Sequence, residues 1–476
     1  MRCFAGLLSI AAATLPLGGC ADEEAAPPTD ELQEIADGLT EDVFVGTGPA
    51  NGKRRFQVPA ASLTVAVADE PAETVASGVS RLGDDRPLDP GQVQPIGSNT
   101  KVVTAVLVMR LVEEGRLDLD ERLPQIAKAN REDGGRLAHL VRRYEPRVRE
   151  VTLHELLNHT SGLQSWDDTD AWTEAFVRDP LRRSRLDRLS SYGLAQPAIF
   201  SPGARGEWNY SNTDYTLLGM VLEAVSGDSV RSQMEALFDE IGMDRSAYAP
   251  TPVEVRMTPL SSLLIDGYMP IPPHSEKQPA VLTEAFDGAG TADAVIGHPR
   301  PVESVSTNPK TSGLTVDVRR AAATETARDE GHRKFKYVNV THAYNLGMGL
   351  TAGGIVSNSE DVARFWRALF DGELVEPETL ELMKETVPVG EARPKGVDVR
   401  WGIGFGHQQI GPGVLFEGSP AYSVWYHLGN IFGYSSASYY VEEEDVVVTN
   451  TVDIFPQPVG DLGVLREVLR DRARAG

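Results

Sequence analysis

Cysteine is nearly absent. Cys3 and Cys20 are the only two in 476 residues, so neither a disulfide framework nor a cysteine-rich metal centre can organise the chain. Basic residues are also short: 45 Lys and Arg stand against 69 Asp and Glu, a formal charge of −24. A surface of that sign repels phosphate backbones and anionic headgroups, which excludes nucleic acid as the expected partner. Apolar runs long enough to cross a bilayer are missing too. The best candidate, within residues 1–20, falls short of the ~20 residues a spanning helix needs.

What remains is ordinary globular composition, 41% hydrophobic and 24% charged, enough for one large domain or two sub-domains sharing a cleft. The opening MRCFAGLLSIAAATLPLGGC has one basic residue, Arg2, a short apolar stretch and small residues before Cys20, the layout of an export signal. Its ending, Leu17-Gly18-Gly19-Cys20, resembles the lipobox of bacterial lipoproteins, where the cysteine becomes the acylated first residue of the mature chain. The expectation is a lipoprotein signal peptide over 1–20 and an exported protein anchored through Cys20 to a bacterial cell membrane, on the periplasmic or outer-surface side. Two or more acyl chains, at ~0.8 kcal/mol per buried CH₂, suffice for stable anchoring. Residues 21–40, beginning acidic and Pro-rich, read as a flexible tether, and 41–476 as the folded domain.

Within that domain, SLTVAVADE and ETVASGVSR read as a hairpin near the start. Lys101 to Val112 is apolar on nearly every face and stops at Gly115, which predicts a central helix. Thr152 and Glu155 form a capping box, and SNTDYTLLGMVLEAVSG is a second apolar helix ending at Gly227. SNSEDVARFWRALFDG reads as a further helix, with Ser357 and Glu360 as its cap and Gly372 as its stop. SVWYHLG and SSASYYVEEEDVVVTNTVD then read as a strand and an acidic-tipped hairpin before a closing helix. Strands at both ends with helices between predict an α/β fold of the α+β type: an antiparallel sheet built from both chain ends, flanked by helices, with an inserted helical lobe. Residues 251–342, rich in Pro, Gly, Ser and charge, have no period and read as an irregular insertion near the site.

The stretch PIGSNTK puts Ser98 and Lys101 three residues apart at the mouth of the central helix. On a helix they project from one face, a turn from each other. A serine hydroxyl becomes a nucleophile when a neighbouring base takes its proton, and backbone N–H groups at a helix start favour the resulting anion. For Lys101 to be that base, its pKa must fall from about 10.4 towards ~7 to 8, which burial among apolar residues can supply.

PIGSNTK, VTLHELLNHTSGL, SPGARGEWNYSN, GLTAGGIVSNSEDVARF and WYHLGNIFGYSS occur in that order. Together they resemble the penicillin-recognising serine hydrolases of the class C β-lactamase, D-alanyl-D-alanine carboxypeptidase and family VIII esterase group, over about residues 55–455. The resemblance implies a β-lactamase/transpeptidase-like fold without cofactor or metal, acting on a small-molecule or peptide substrate. Ser98 is then the acylated nucleophile and Lys101 its proton acceptor or relay. Tyr210 of Tyr210-Ser211-Asn212 shares the base role and protonates the leaving group, while Asn212 holds a substrate amide or carbonyl. His427-Leu428-Gly429 matches the third motif, and the N–H groups of Ser98 and Asn430 form the oxyanion hole. His159, by contrast, reads as a structural hydrogen-bonder in a helix-ending turn.

Several look-alikes fall away. His154 and His159 are five apart, about 140° around a helix, so they make no zinc pair. Tyr337-Val338-Asn339 repeats Tyr-x-Asn inside the insertion, and Lys310-Thr311-Ser312-Gly313 is one residue too long for Lys-Thr-Gly. No G-x-S-x-G is present, which excludes the α/β-hydrolase nucleophile elbow.

The third motif departs from the β-lactamases, where a lysine and a threonine receive the substrate carboxylate. Leu428 cannot donate a hydrogen bond, and a neutral His427 is a weaker anion partner than lysine. Ester or amide hydrolysis with at most weak β-lactamase activity is therefore expected: an esterase, D-amino-acid peptidase or carboxypeptidase at the cell envelope. The alternative is a penicillin-recognising envelope module that acylates without turnover.

Overall fold

The computed structural model describes residues 30–41, 44–47, 53–68, 70–83, 86–130, 135–257, 260–271, 324–326, 336–390, 395–454 and 462–475. The expected leader with Cys20, and the tether as far as residue 29, lie outside the described residues. From Asp30 onward the tether expectation is overturned. Asp30–Glu41 is a helix, α1, that buries Leu32, Ala36 and Thr40. Leu32, Ile35, Ala36 and Leu39 form an apolar stripe at helical spacing, and Asp30 and Glu31 favour the positive end of the helix dipole.

The hairpin follows as β1, Ala60–Val67, and β2, Glu73–Gly78. Helices then dominate: α2, Thr100–Glu113; α3, Leu153–Leu157; α4, Asn212–Ser226; α5, Val230–Ile241; and α6, Ser359–Phe370. The chain returns to strands with β3, Val387–Pro388; β4, Val397–Trp401; β5, Gly406–Ile410; β6, Tyr422–Ile431; β7, Tyr434–Val441; and β8, Val446–Val452. It closes on α7, Gly463–Ala475. The strands form one antiparallel sheet of eight in the order β3-β4-β5-β6-β7-β8-β1-β2. Both chain ends thus build it, as the strand distribution predicts.

Burial explains the layers. Leu63, Val75, Val424, Tyr439 and Val448 face Leu32 and Ala36 of α1 and Leu465, Val468 and Leu469 of α7. On the opposite face, Trp425 and Val447 join a core shared with α2, α4 and α6. Eleven residues of α2 are buried, Lys101 among them, so this helix is packed on all sides. The Thr152–Glu155 capping box is present at α3, and Gly227 closes α4 at φ +84°. At α6 the cap is Asn358, whose side chain accepts from Asp361 N–H at 2.9 Å, rather than Ser357. Ser357 is instead in a short strand, Ile355–Ser357.

The insertion is less irregular than its composition suggests. Tyr268–Ile271, Lys336–Asn339 and Thr324–Thr326 make a small antiparallel sheet in that spatial order. Asn339, the asparagine of the repeated Tyr-x-Asn, donates to buried Asp266 at 2.8 Å and is structural. Lys310–Gly313 lies outside the described residues.

The sheet positions the site through an incomplete edge. β5 pairs with β6 only as far as Tyr426, leaving the edge from His427 to Ile431 to other partners. Ile96 and Gly97 seat there. A Cβ on Gly429 would lie 1.9 Å from Ile96 O, and one on Gly97, which has φ +51°, would lie 2.7 Å from Asn430 N. Only glycine permits that approach at either position.

Candidate active site

The turn Gly97–Asn99 delivers Ser98 at the entrance to α2. It is locked to the sheet: Ser436 Oγ donates to Ile96 O at 2.8 Å, and Asn99 Nδ2 donates to Ser436 Oγ at 2.7 Å. Together with the Gly429 approach, this brings the backbone of Gly97, immediately before Ser98, beside that of Asn430.

Lys101 Nζ lies 3.1 Å from Ser98 Oγ and donates to Asn212 Oδ1 and Ala352 O, each at 2.6 Å. The side chain is fully buried. Loss of solvent draws its pKa down to about 7, partly opposed by Asp167 and Asp214. A neutral amine has two N–H groups and one lone pair. Asn212 and Ala352 accept the two N–H groups, which leaves the lone pair for the Ser98 hydroxyl proton.

Tyr210 completes the cluster. Its hydroxyl is hydrogen-bonded to Ser98, while burial holds the phenol well above its ordinary pKa and therefore protonated. Lys101 Nζ lies 4.8 Å from the Tyr210 ring centroid. Beneath that ring sits His159, 4.4 Å between centroids, at φ +64°. His159 Nδ1 is 3.1 Å from Asp214 Oδ2, and Ser161 Oγ donates to Asp214 Oδ1 at 2.6 Å. Burial pushes the Asp214 carboxyl up and the His159 ring down from their ordinary values. This places His159 as a buried support for Tyr210.

Asn212 is held from both sides. Its Nδ2 donates to Asp167 Oδ2 at 2.7 Å and its N–H to Ser165 Oγ at 2.9 Å. Ser165 Oγ also donates to Asp167. Sequence reasoning missed Asp167. It lies in Ser165-Trp166-Asp167-Asp168, whose spacing carries no chemical signature; its position four residues after Leu163 of the Asn158–Leu163 motif is the nearest available signal.

His427 is buried at 1% exposure. Its Nδ1 donates to Leu428 O at 2.8 Å, and its Nε2 is buried without a partner among the described residues. Burial, with the Lys101 charge adding to it, draws its pKa down to about 3. A neutral ring with Nδ1–H presents a lone pair at Nε2 and no cation. Its centroid is 6.2 Å from that of Tyr210 and 5.5 Å from that of Trp401.

Ser98 opens on a cavity of about 50 Å³ walled by Gly97, Asp167, Asn212, Gly353 and Asn430, with Trp166, Trp172, Met348 and Phe432 as its apolar side. Among the described residues no lysine or arginine lines it. Among the described residues no group of three or more His, Cys, Asp or Glu could hold a metal ion.

Solved structures share this fold. D-amino acid amidase from Ochrobactrum anthropi SV3 superimposes with a TM-score of 0.62 at 19% identity, covering 94% of this chain and 99% of that one. A D-stereospecific amidohydrolase from Streptomyces sp. gives 0.56 at 21% identity, covering 90% and 95%. The penicillin binding protein of Bacillus halodurans gives 0.57 at 19%, covering 87% and 95%. By sequence, the chain is 31% identical to Penicillin-binding protein 4 of Amycolatopsis lactamdurans over 205 residues, 42% of this chain and 47% of that protein. It is 28% identical to Protein flp of Staphylococcus aureus over 134 residues, 28% of this chain and 23% of that protein. The chain thus spans less than half the length of these curated relatives. Residues 48–263 and 278–464 match the family described as Beta-lactamase, and the chain belongs to that family.

Proposed function

We propose that this protein is a serine hydrolase that cleaves an ester or amide bond through an acyl-enzyme on Ser98. The observation that carries the reading is the buried Lys101, whose Nζ lies 3.1 Å from Ser98 Oγ and whose pKa burial draws down to about 7. Lys101 takes the hydroxyl proton as Oγ bonds to the substrate carbonyl carbon, and the N–H groups of Ser98 and Asn430 receive the developing oxyanion. The tetrahedral species then collapses, the bond to the leaving group breaks, and Tyr210 gives its hydroxyl proton to that group as the proton taken up by Lys101 passes to the Tyr210 oxygen. Water attacks the acyl carbon in the second half-reaction, with the same bases in reverse order, and frees Ser98. Asn212 orients Lys101 and meets a substrate amide or carbonyl.

The names of the solved neighbours support amides adjoining a D-residue as the first substrates to test. Weak β-lactamase activity at most is expected, because neither His427 nor Leu428 offers a carboxylate a cation or a hydroxyl. We also place the protein at a bacterial envelope, lipid-anchored through Cys20, on the leader sequence alone; incorporation of a fatty-acid analogue that persists in Cys20→Ala would remove that placement.

The test of the chemistry is hydrolysis of a short-chain p-nitrophenyl ester and of D-phenylalanine amide by wild type and Ser98→Ala. Sustained turnover lost in the variant is the expected result. A single stoichiometric burst would instead support the non-hydrolytic acylating module.

A further inference from the structure

A second cavity, of about 510 Å³, is lined by Arg136, Arg183, Arg185 and Arg231 against one carboxylate, Glu223. Its size falls in the range of small-molecule sites. Such a collection of arginines is unexpected in a chain of charge −24. They come from separate places: Arg136 from the helix Gly135–Arg143, Arg183 and Arg185 from the approach to the helix Leu186–Leu194, and Arg231 from α5.

Three of the four have carboxylate neighbours. Arg136 meets Glu223 at 2.9 Å, Arg185 meets Asp187 at 2.8 Å, and Arg231 meets Glu235 at 3.3 Å and Glu254 at 3.4 Å. Arg183 makes no such ion pair among the described residues, and its charge acts on Glu254 only from farther off. The existing pairs are at least partly exposed, and pairs of that kind contribute little, so a ligand oxyanion can displace or join them. Guanidinium groups match carboxylate and phosphate with paired N–H donors.

The cavity is not remote from Ser98. Trp172 and Met348 line both the nucleophile pocket and a neighbouring cleft of about 40 Å³, and Arg183, Ser184 and Arg185 line both that cleft and the arginine cavity. One segment serves both ends: Asn345, Gly347 and Leu350 wall the arginine cavity, Met348 and Gly349 the nucleophile pocket. Among the described residues no lysine or arginine lines the nucleophile pocket, whereas Arg182, Arg183, Arg185 and Arg188 line the neighbouring cleft and four arginines the cavity beyond it.

We propose that the arginine cavity is a distal subsite for the carboxylate or phosphate at the far end of an extended substrate whose near end acylates Ser98. The proposal rests on the serine hydrolase reading above. The apolar span of such a substrate crosses Trp172 and Met348, and its anion is held where no carboxylate-receiving motif of the third-strand kind is needed.

The test uses mono-p-nitrophenyl esters of dicarboxylic acids of graded chain length, each beside its methyl-capped, uncharged counterpart. At one chain length the wild type should favour the free acid by about tenfold or more in kcat/KM, a gain that shrinks with added salt. The double variant Arg183→Gln, Arg185→Gln should lose that preference through KM while its kinetics on the capped ester stay at wild-type values. No preference at any length, or one that the double variant retains, overturns the proposal. Inorganic tripolyphosphate separates the sources of anion. Competition against the acid ester alone supports a substrate subsite, whereas altered turnover of the capped ester makes the cavity an effector site and defeats the proposal. If no ester is turned over, the hydrolase reading has failed independently, and titration calorimetry with the free diacids decides the cavity. Binding lost in the double variant retains it as an anion site; no binding removes it.

Discussion

Asp167 and Lys101 are joined through a single amide: Asn212 donates from Nδ2 to Asp167 Oδ2 at 2.7 Å and accepts at Oδ1 from Lys101 Nζ at 2.6 Å. The carboxylate can only accept when ionised, so it fixes which way the amide points, and that choice presents an oxygen to the lysine. Asp167 also acts at a distance, as the stronger of the two carboxylates that oppose the fall of the Lys101 pKa. Replacing it with Asn keeps an acceptor for Asn212 but removes the charge. The neutral base of Lys101 is then available at lower pH, so the acidic limb of kcat/KM, expected near about 7 in the wild type, should move down in Asp167→Asn. Asp167→Ala also frees the amide and should cut kcat by ~10 to 100-fold, as a misplaced catalytic group does. A pH profile of Asp167→Asn that overlays the wild type would show that the residue only fills space.

The same burial makes Lys101 a stability sensor. Its pKa is about 7 in the folded chain against an ordinary value of 10.5. Between those values the unfolded chain holds a proton that the folded chain has lost, so stability rises with pH across that window, with a slope approaching about 1.4 kcal/mol per pH unit from this residue. Lys101→Met removes the contribution. Urea titrations of both proteins at neutral pH and at about pH 9 should show wild type gaining on the variant as pH rises, while ester turnover by the variant falls ~10² to 10⁴-fold at every pH. Parallel stability curves for the two proteins would mean that Lys101 keeps its charge when buried.

His427 sets the expected response to β-lactams. With Nδ1 donating to Leu428 O and the ring pKa drawn down to about 3, it stays neutral across the working range and offers a lone pair at Nε2. A β-lactam carboxylate arriving there meets an acceptor rather than a donor. Cephalosporin turnover should therefore be slight, and His427→Gln, which restores a neutral donor of similar reach, should change β-lactam acylation more than ester hydrolysis. Efficient cephalosporin hydrolysis by the wild type, followed by absorbance, would remove the anion-exclusion account.

The parts of the site that were legible in the sequence are those set by local spacing. Ser98 and Lys101 are one helical turn apart, and Tyr210 and Asn212 flank a single residue, so each pair is short enough to carry its own geometry. Asp167 was not legible, because its meeting with Asn212 spans 45 residues and depends on how the loop before α4 packs. The arginine cavity was hidden for the same reason: Arg136, Arg183 and Arg231 are joined only by the tertiary fold. The sheet from both chain ends was readable from β-branched runs, whereas α1 was disguised by its own acidity.

That disguised helix gives the last prediction. A tether makes no contacts, so truncating one of its side chains leaves stability unchanged. Leu32 is instead 6% exposed and shares a core with Leu63, Val75 and Leu469, with Ala36 fully buried beside it. Gln33 Nε2 donates to Ala76 O at 3.1 Å, and Thr40 Oγ1 lies 2.8 Å from Ser77 Oγ, which ties the helix to β2 along its length. Leu32→Ala should therefore lower unfolding free energy by ~2 to 3 kcal/mol, the lower part of the range for a buried leucine at a domain edge. Denaturant unfolding of the point variant, with ester turnover measured alongside, checks this. Turnover should persist, because α1 packs on the sheet face opposite the core that holds α2; a variant of wild-type stability would return Asp30–Glu41 to the status of a tether.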